Sequence, residues 1–290
     1  MLNIGVVGYG YWGPNVARNF HGTTGVKLTS ISDLSEKRLG LAQGHYPFIK
    51  ALKDPLELIR SAEVDAVAIV TPVFAHYDLA KAALLEGKHI FVEKPFTSTS
   101  AQAKELVELA DKKNLKIMVD HTFLFTGAVR KIKELIDSGE LGQLMFYDSV
   151  RVNLGLFQHD VNVIWDLAPH DLSIMAHVID KKPVAISAHG TVHFQGGLED
   201  IAYVSVEFEG NRFLAHFHVN WLSPVKIRKT LISGDKKMLV WDDLDADEKI
   251  KIYDRGVEVK SGNGGKDGIH ELLVSYRSGD VHIPLSLIHI

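Results

Sequence analysis

The sequence predicts an α/β chain in which a doubly wound parallel sheet is followed by an α+β domain built on a large, mainly antiparallel sheet. Three observations carry that prediction. An apolar run opens the chain and passes straight into glycine-spaced residues and a helix-like stretch. Apolar strand-like runs then alternate with helical patterns as far as residue 120. Beyond Gly142 the alternation stops, and successive β-rich runs separated by Gly, Asn and Asp turns take over.

Leu2, Ile4, Val6 and Val7 make the short apolar run that a buried parallel strand needs, and Gly8-Tyr9-Gly10-Tyr11-Trp12-Gly13 follows at once with the spacing G-x-G-x-x-G. The first glycine permits the tight turn, the second lets a pyrophosphate approach bare backbone, and the third lets the helix pack close to the strand. Pro14 falls in the first helical turn, where its missing N–H has no partner to lose. The helix N-terminus then offers N–H groups and a positive dipole end to a diphosphate, with Tyr11 and Trp12 in the turn beside it. A second strand, 26–32, ends in Asp33, at the distance where a carboxylate accepts both ribose hydroxyls of an adenosine. A 2′-phosphate there would meet a negative charge, so the expected cofactor is NAD rather than NADP.

The alternation continues through a helix at 35–42, another opening at Asp54-Pro55 and an apolar strand at 66–70. That strand ends in Thr71-Pro72 and hands over to a helix at 74–85 with Gly87 past its end. Ligands of open α/β sheets lie at the carboxyl ends of strands, which puts Thr71, Pro72 and His76 near the cofactor, although Thr71 is equally well explained as a helix cap. A strand at 88–92 ends in Glu93-Lys94-Pro95, so a carboxylate and an amine reach the same edge. A helix at 99–113 and a strand at 116–119, closed by Asp120-His121, complete a first domain over 1–120.

In the second domain, 121–290, a helix at 129–136 precedes β-rich runs at 143–154, 184–194, 201–208, 213–221, 227–233 and 238–241, with a helix at about 167–179 among them. Asp166 and His170 are four apart and share a helix face. Pro169 does not belong in a helix interior, so the helix is expected to begin near Asp166. Two readings of Asp166 stand: a helix cap with His170 as a passenger, or a catalytic pair. Arg151 and Asn153 lie on one face of a strand, either as a solvated face or as a grip on a polar substrate.

Composition narrows the class. At 290 residues and 46% hydrophobic the chain can bury at least one good core, and its length suggests about two domains. A net charge of -4 gives no basic field for nucleic acid or an anionic membrane. The absence of cysteine excludes disulfides, thiolate metal sites and a cysteine nucleophile. The chain enters its first strand without a basic leader, and no apolar run reaches membrane-spanning length, so a cytoplasmic protein is expected. Histidine is frequent, but neither His216 with His218 nor His189 with His193 has a carboxylate at ligand spacing, and no metal is expected.

Taken together, Gly8-x-Gly10-x-x-Gly13, Asp33, Thr71-Pro72 with His76, Glu93-Lys94-Pro95 and Asp166-x-x-x-His170 resemble the glucose-fructose oxidoreductase and inositol dehydrogenase family (Gfo/Idh/MocA) over residues 1 to about 260. The resemblance implies a Rossmann domain that binds NAD, then an open-faced sheet domain that serves substrate binding and homo-oligomerisation, as a dimer or tetramer. It implies that Lys94, Asp166 and His170 surround a sugar carbon, with Lys94 on the hydroxyl oxygen, His170 taking the proton directly or through Lys94, and Asp166 orienting the imidazole. Glu93 is expected to position Lys94. The stretches 151–155 and 162–171 look most like members acting on nucleotide sugars such as UDP-N-acetylglucosamine, in polysaccharide biosynthesis. Thr122 and Leu124 depart from the polar or basic residues often found after the last parallel strand. Dehydrogenases of free sugars or inositols, and a dinucleotide-binding sensor without chemistry, are the competing readings. The apolar ending 285–290 lacks the closing helix that the family generally carries, so a truncated or mis-joined C-terminus is expected.

Overall fold

The computed structural model describes residues 1–155, 160–194, 196–210, 212–254, 256–261 and 272–284. Residues 285–290, on which the expected irregular ending falls, lie outside the described residues. The chain divides into two compact units, Met1–Asp120 and His121–Ile290.

The first unit is a six-stranded parallel sheet. Its strands are β1 (Leu2–Val7), β2 (Val26–Ser32), β3 (Lys50–Leu52), β4 (Ala66–Ile69), β5 (His89–Val92) and β6 (Ile117–Val119), in the spatial order β3-β2-β1-β4-β5-β6. The order reverses between β1 and β4, which makes their carboxyl ends the place where a dinucleotide sits on such a sheet. Five helices connect the strands: α1 (Gly13–Gly22), α2 (Glu36–His45), α3 (Pro55–Arg60), α4 (Val73–Leu85) and α5 (Ser100–Lys113). Ser35, Asp54 and Thr99 cap α2, α3 and α5 by accepting from backbone N–H groups, as short polar side chains at those positions do.

The period-two geometry of strands explains why both faces are covered. Ile4, Val6, Ala66 and Ala68 bury against Val16 and Ala17 of α1 and Ala42 of α2, whereas Val7, Val67 and Ile69 bury against Leu58, Ala80, Ala83 and Leu106 on α3, α4 and α5. The three-residue β3 was not expected from the sequence. At that length no periodicity can announce it, and it exists by pairing Ser30, Ile31 and Ser32 with Lys50, Ala51 and Leu52.

The second unit opens with a tight helical turn, Thr122–Phe125, and α6 (Gly127–Asp137). Its main sheet contains β7 (Leu144–Leu154), β8 (Pro183–Thr191), β9 (Ile201–Phe208), β10 (Leu214–Asn220), β11 (Leu222–Gly234), β12 (Met238–Asp242), β13 (Ile250–Tyr253) and β16 (Val281–His282), in the order β16-β13-β12-β11-β7-β10-β9-β8. All pairings in it are antiparallel except β7 with β10. A separate hairpin pairs β14 (Gly256–Ser261) with β15 (Leu272–Arg277). One sheet face, with Tyr147, Val206, Phe217, Ile232 and Trp241, is buried against Val129 and Ile132 of α6 and against Ile174 and Met175 of α7 (Val163–Val178).

Two elements of this unit depart from the sequence pattern. The strand expected to run to Phe194 ends at Thr191, because Asp200 turns the chain by accepting from the backbone and ring nitrogens of His193 at 2.8 and 2.7 Å. Helix α7 starts at Val163 rather than near Asp166. Asn162 is its cap, accepting from Trp165 N–H at 3.1 Å, and Pro169 stands inside the helix. A proline there removes one backbone bond and costs about 3 kcal/mol. Burial of Val163, Ala168, Ile174, Met175 and Val178 along the same helix offsets that local cost, as tertiary packing commonly does.

Candidate active site

The glycine turn meets the steric tests of a nucleotide-binding turn. Gly8 adopts φ +99°, and a Cβ on it would sit 2.3 Å from the carbonyl oxygen of Val70, so the end of β1 lies directly against the end of β4. A Cβ on Gly13 would sit 2.4 Å from the carbonyl oxygen of Gly8, which only a glycine avoids. At Gly10 the nearest neighbour would be the Arg38 guanidinium at 3.7 Å, leaving that side of the turn open to a phosphate. Trp12 is the N-cap of α1 and brings no side-chain acceptor to the helix N-terminus. Tyr11 is exposed, and the ring of Trp12 stands edge-on to it at 5.4 Å. The donor set and the open backbone fit a diphosphate.

Asp33 closes the same turn. Its carboxylate accepts from Tyr9 N–H at 2.7 Å and Ser35 N–H at 2.8 Å, and Arg38 Nη1 lies 3.6 Å away. Asp33 therefore holds the loop by its own hydrogen bonds. Arg38 escaped the sequence reading. Its signal, a guanidinium five residues after the acid, acquires meaning only once α2 turns it back over the glycines. Tighter binding of NAD than NADP is expected by titration calorimetry. In an Asp33→Ala protein the gap narrows, since the repelling carboxylate is gone and Arg38 can face a 2′-phosphate; equal affinities in the unmodified protein contradict this.

At the ends of β4 and β5, Thr71 is half-buried, Pro72 is exposed and His76 is 1% exposed. Both ring nitrogens of His76 meet backbone carbonyl oxygens, Nε2 that of Thr71 at 2.7 Å and Nδ1 that of Pro95 at 2.9 Å. The imidazole thus ties the Thr71-Pro72 turn to the Lys94-Pro95 turn, instead of presenting an open nitrogen to a cofactor. Lys94 is half-buried, and its backbone N–H donates to Glu93 Oε2 at 3.2 Å.

Glu93 is itself buried. Burial, then the charge of Asp120 and a hydrogen bond with its side chain, push the Glu93 carboxyl up to about 7, while the Lys94 charge and N–H pull the other way. A raised carboxyl contributes stability that is complete below its ordinary value near 4.5 and is lost as pH rises through 7. The unfolding midpoint of the cofactor-free protein is therefore expected to fall as pH rises across that window, and a Glu93→Gln protein to show a flatter profile. An identical slope in both proteins removes Glu93 as its source.

In the second unit, Asp166 and His170 stand one turn apart on α7. Asp166 Oδ2 accepts from Trp221 Nε1 at 3.0 Å, and the His170 ring packs edge-on against Phe123 at 5.1 Å. The cap reading of Asp166 falls away because Asn162 fills that place. Arg151 is 3% exposed, and its Nε and Nη2 donate to the Asp171 carboxylate at 2.7 and 3.0 Å. Its guanidinium lies 4.6 Å from the centre of the Phe123 ring. Burial works against the charge on Arg151, but the Asp171 carboxylate more than offsets this, so the proton is held more tightly than usual. Neither alternative drawn from the sequence describes it: Arg151 is neither on a solvated face nor an open grip. It fixes α7, and with it His170, against β7. Asn153 is half-buried on β7. Asp171 and Trp221, partners of Arg151 and Asp166, were not singled out in the sequence, because each lies far in sequence from what it holds or next to a more conspicuous histidine.

Among the described residues, no group of three or more His, Asp or Glu side chains could hold a metal, and no helix is long and apolar enough to cross a membrane. His216 and His218 instead stack with Tyr203, at 6.0 and 4.4 Å between ring centres.

A doubly wound sheet with a sterically required glycine turn, an acid at the end of β2 and a lysine at a neighbouring strand end is the frame of a dinucleotide-binding protein. Residues 2–121 match the model of the oxidoreductase family with NAD-binding Rossmann fold, and residues 129–240 match the GFO/IDH/MocA C-terminal domain. The chain belongs to the Gfo/Idh/MocA oxidoreductase family and is an NAD-binding protein. It is 27% identical over 286 residues to the uncharacterized oxidoreductase YdgJ of Escherichia coli, covering 92% of this chain and 79% of that one. It is 28% identical over 219 residues to scyllo-inositol 2-dehydrogenase (NAD(+)) of Bacillus subtilis, covering 72% of this chain and 63% of the enzyme, so the match spans less than two thirds of that relative. Among solved structures, UDP-N-acetylglucosamine 3-dehydrogenase GnnA from Acidithiobacillus ferrooxidans superposes with a TM-score of 0.76 at 24% identity, covering 87% of this chain and 80% of that one, a likeness of fold.

Proposed function

We propose that this protein is an NAD-dependent dehydrogenase acting on a secondary hydroxyl of a sugar or cyclic polyol. The observation that carries the reading is the placement of Lys94. It follows a buried Glu93 at the end of β5, next to the β4 end that abuts the nucleotide turn, and its backbone turn is anchored through His76. Oxidising an alcohol requires a hydride acceptor over the carbon and a base at the hydroxyl. Bound nicotinamide supplies the acceptor. Lys94 receives the hydroxyl oxygen, His170 of the second unit takes the proton directly or through Lys94, and Asp166 orients the imidazole. Homo-oligomerisation through the second unit, as a dimer or tetramer, belongs to the same proposal.

Two substrate classes fit this chemistry. Free sugars and inositols need only hydrogen-bonding groups, whereas a nucleotide sugar needs cations for its diphosphate. Arg151 is the cation that the second class would draw on, and its pairing with Asp171 favours the first. The fold shared with GnnA and the stretches 151–155 and 162–171 support the nucleotide-sugar reading. Steady-state kcat/KM with NAD, for inositols and hexoses against a panel of UDP-sugars, separates them. Higher values for the free polyols are expected. Higher values for a UDP-N-acetylhexosamine establish the second reading, and NAD binding without oxidation of any member of either set leaves a dinucleotide-binding protein without chemistry.

A further inference from the structure

The Phe123 ring, in the tight turn Thr122–Phe125, has two cations and two aromatic rings around it. The guanidiniums of Arg151 and Arg228 lie 4.6 and 5.9 Å from its centre. The rings of His170 and Trp241 lie 5.1 and 6.4 Å away, at 67° and 68° to it. Arg151 and Arg228 are paired across β7 and β11, and like charges directly opposite each other destabilise a strand pair. The Asp171 carboxylate offsets the charge of Arg151 at 2.7 and 3.0 Å, Asp243 offsets that of Arg228 at 3.4 Å, and the π-electrons of Phe123 attract both cations. Arg151 thus reaches α7 at two consecutive residues. It holds Asp171 by two charge-assisted hydrogen bonds, and through Phe123 it backs the ring of His170.

A helix fixes where a histidine stands but not which way its ring turns, because χ2 of histidine is a broad torsion without sharp staggered wells. A near-perpendicular aromatic neighbour narrows that choice, since the edge of one ring is attracted to the face of the other. We propose that Phe123 is a positioning residue that sets the plane of the His170 imidazole for proton transfer. The inference rests on the reading of His170 as the group that takes the alcohol proton, directly or through Lys94. Proton transfer needs a ring nitrogen within hydrogen-bond reach of the proton it accepts, so the torsion that Phe123 restrains governs the rate of the step and leaves binding alone. A leucine in its place fills the turn but lacks the quadrupole that favours the perpendicular arrangement. Phe123 acts through His170 and is assigned no contact with substrate or cofactor.

Proton NMR of the His170 ring reads the contact without any substrate, the resonances being assigned by their loss in His170→Ala. In the unmodified protein the ring current of Phe123 is expected to displace them from the positions of exposed histidines. In Phe123→Leu, checked for folding by circular dichroism, they are expected to return toward those positions, and in Phe123→Tyr, which keeps the ring, to stay displaced. Phe123→Met takes the place of the Leu protein should that one not fold. Undisplaced resonances in the unmodified protein, or resonances that Phe123→Leu leaves unmoved, overturn the contact. In turnover, kcat of Phe123→Leu is expected to fall by between about tenfold and about a hundredfold, the scale of a small misplacement, with substrate KM and NAD affinity held and most of the loss restored in Phe123→Tyr. In a His170→Ala background the same replacement is expected to add no further loss. An unchanged kcat, or an equal loss in both backgrounds, overturns the positioning role. If the unmodified protein oxidises no hydroxyl substrate, the role in turnover falls with the functional reading, and the resonances alone decide whether Phe123 sets the imidazole.

Discussion

Replacing Lys94 by Ala is expected to lower turnover by about a hundredfold or more, the usual scale for a positioned acid or base, with NAD affinity near its original value. The diphosphate and ribose contacts proposed at Gly8, Gly10, Gly13 and Asp33 are left alone by the replacement. A His170→Ala protein is expected to fall by a similar factor. If Lys94 and His170 form one proton-transfer unit, their losses do not add, and the double variant is little worse than the more damaging single one. Multiplying losses in the double variant would mean two independent roles. Near-normal turnover in a folded His170→Ala protein would remove His170 from the chemistry. Its ring would then count only as packing against Phe123.

The second large effect concerns stability. Truncating Arg151 to Met leaves the Asp171 carboxylate buried without its guanidinium, and breaking a buried pair on one side costs about 3–5 kcal/mol. Replacing both partners together, Arg151→Met with Asp171→Leu, is expected to recover most of that loss, because the desolvation of both charges disappears with the charges. Denaturant titrations of the two single variants and the double one measure this directly. An Arg151→Met protein as stable as the original would show that the guanidinium is not what holds α7 to β7. A turnover loss in the double variant that exceeds any stability loss would show the pair acting on His170 through the helix.

Much of this architecture is legible in the residues, and the places where it is not share a cause. The first unit reads well because its signals are local: an apolar run, three glycines and an acid at fixed spacing, and strand ends marked by Thr71-Pro72 and Glu93-Lys94-Pro95. Asp120 carries no such mark. Its meaning depends on β6 lying beside β5, a fact of strand order rather than spacing. Arg151 has the sequence of an exposed cation on an alternating strand, and only the long-range partner Asp171 makes it an internal one. Pro169 does not mark the start of α7, because burial along the whole helix outweighs the local rule. Spacing puts His76 at the carboxyl edge of the sheet, but its two carbonyl partners come from separate turns, and spacing says nothing of which way a ring faces.

The most direct measurement is the fate of the hydrogen on the substrate carbon. An inositol or hexose deuterated at the carbinol position is incubated with NAD and the purified protein, and the nicotinamide product is examined by mass spectrometry and proton NMR. One deuterium is expected on the nicotinamide ring for each ketone formed, and the Lys94→Ala protein is expected to form the same labelled product at about a hundredth of the rate or less. NAD that binds but is never reduced by any hydroxyl substrate, or label that appears in water instead of on the ring, would contradict hydride transfer to NAD.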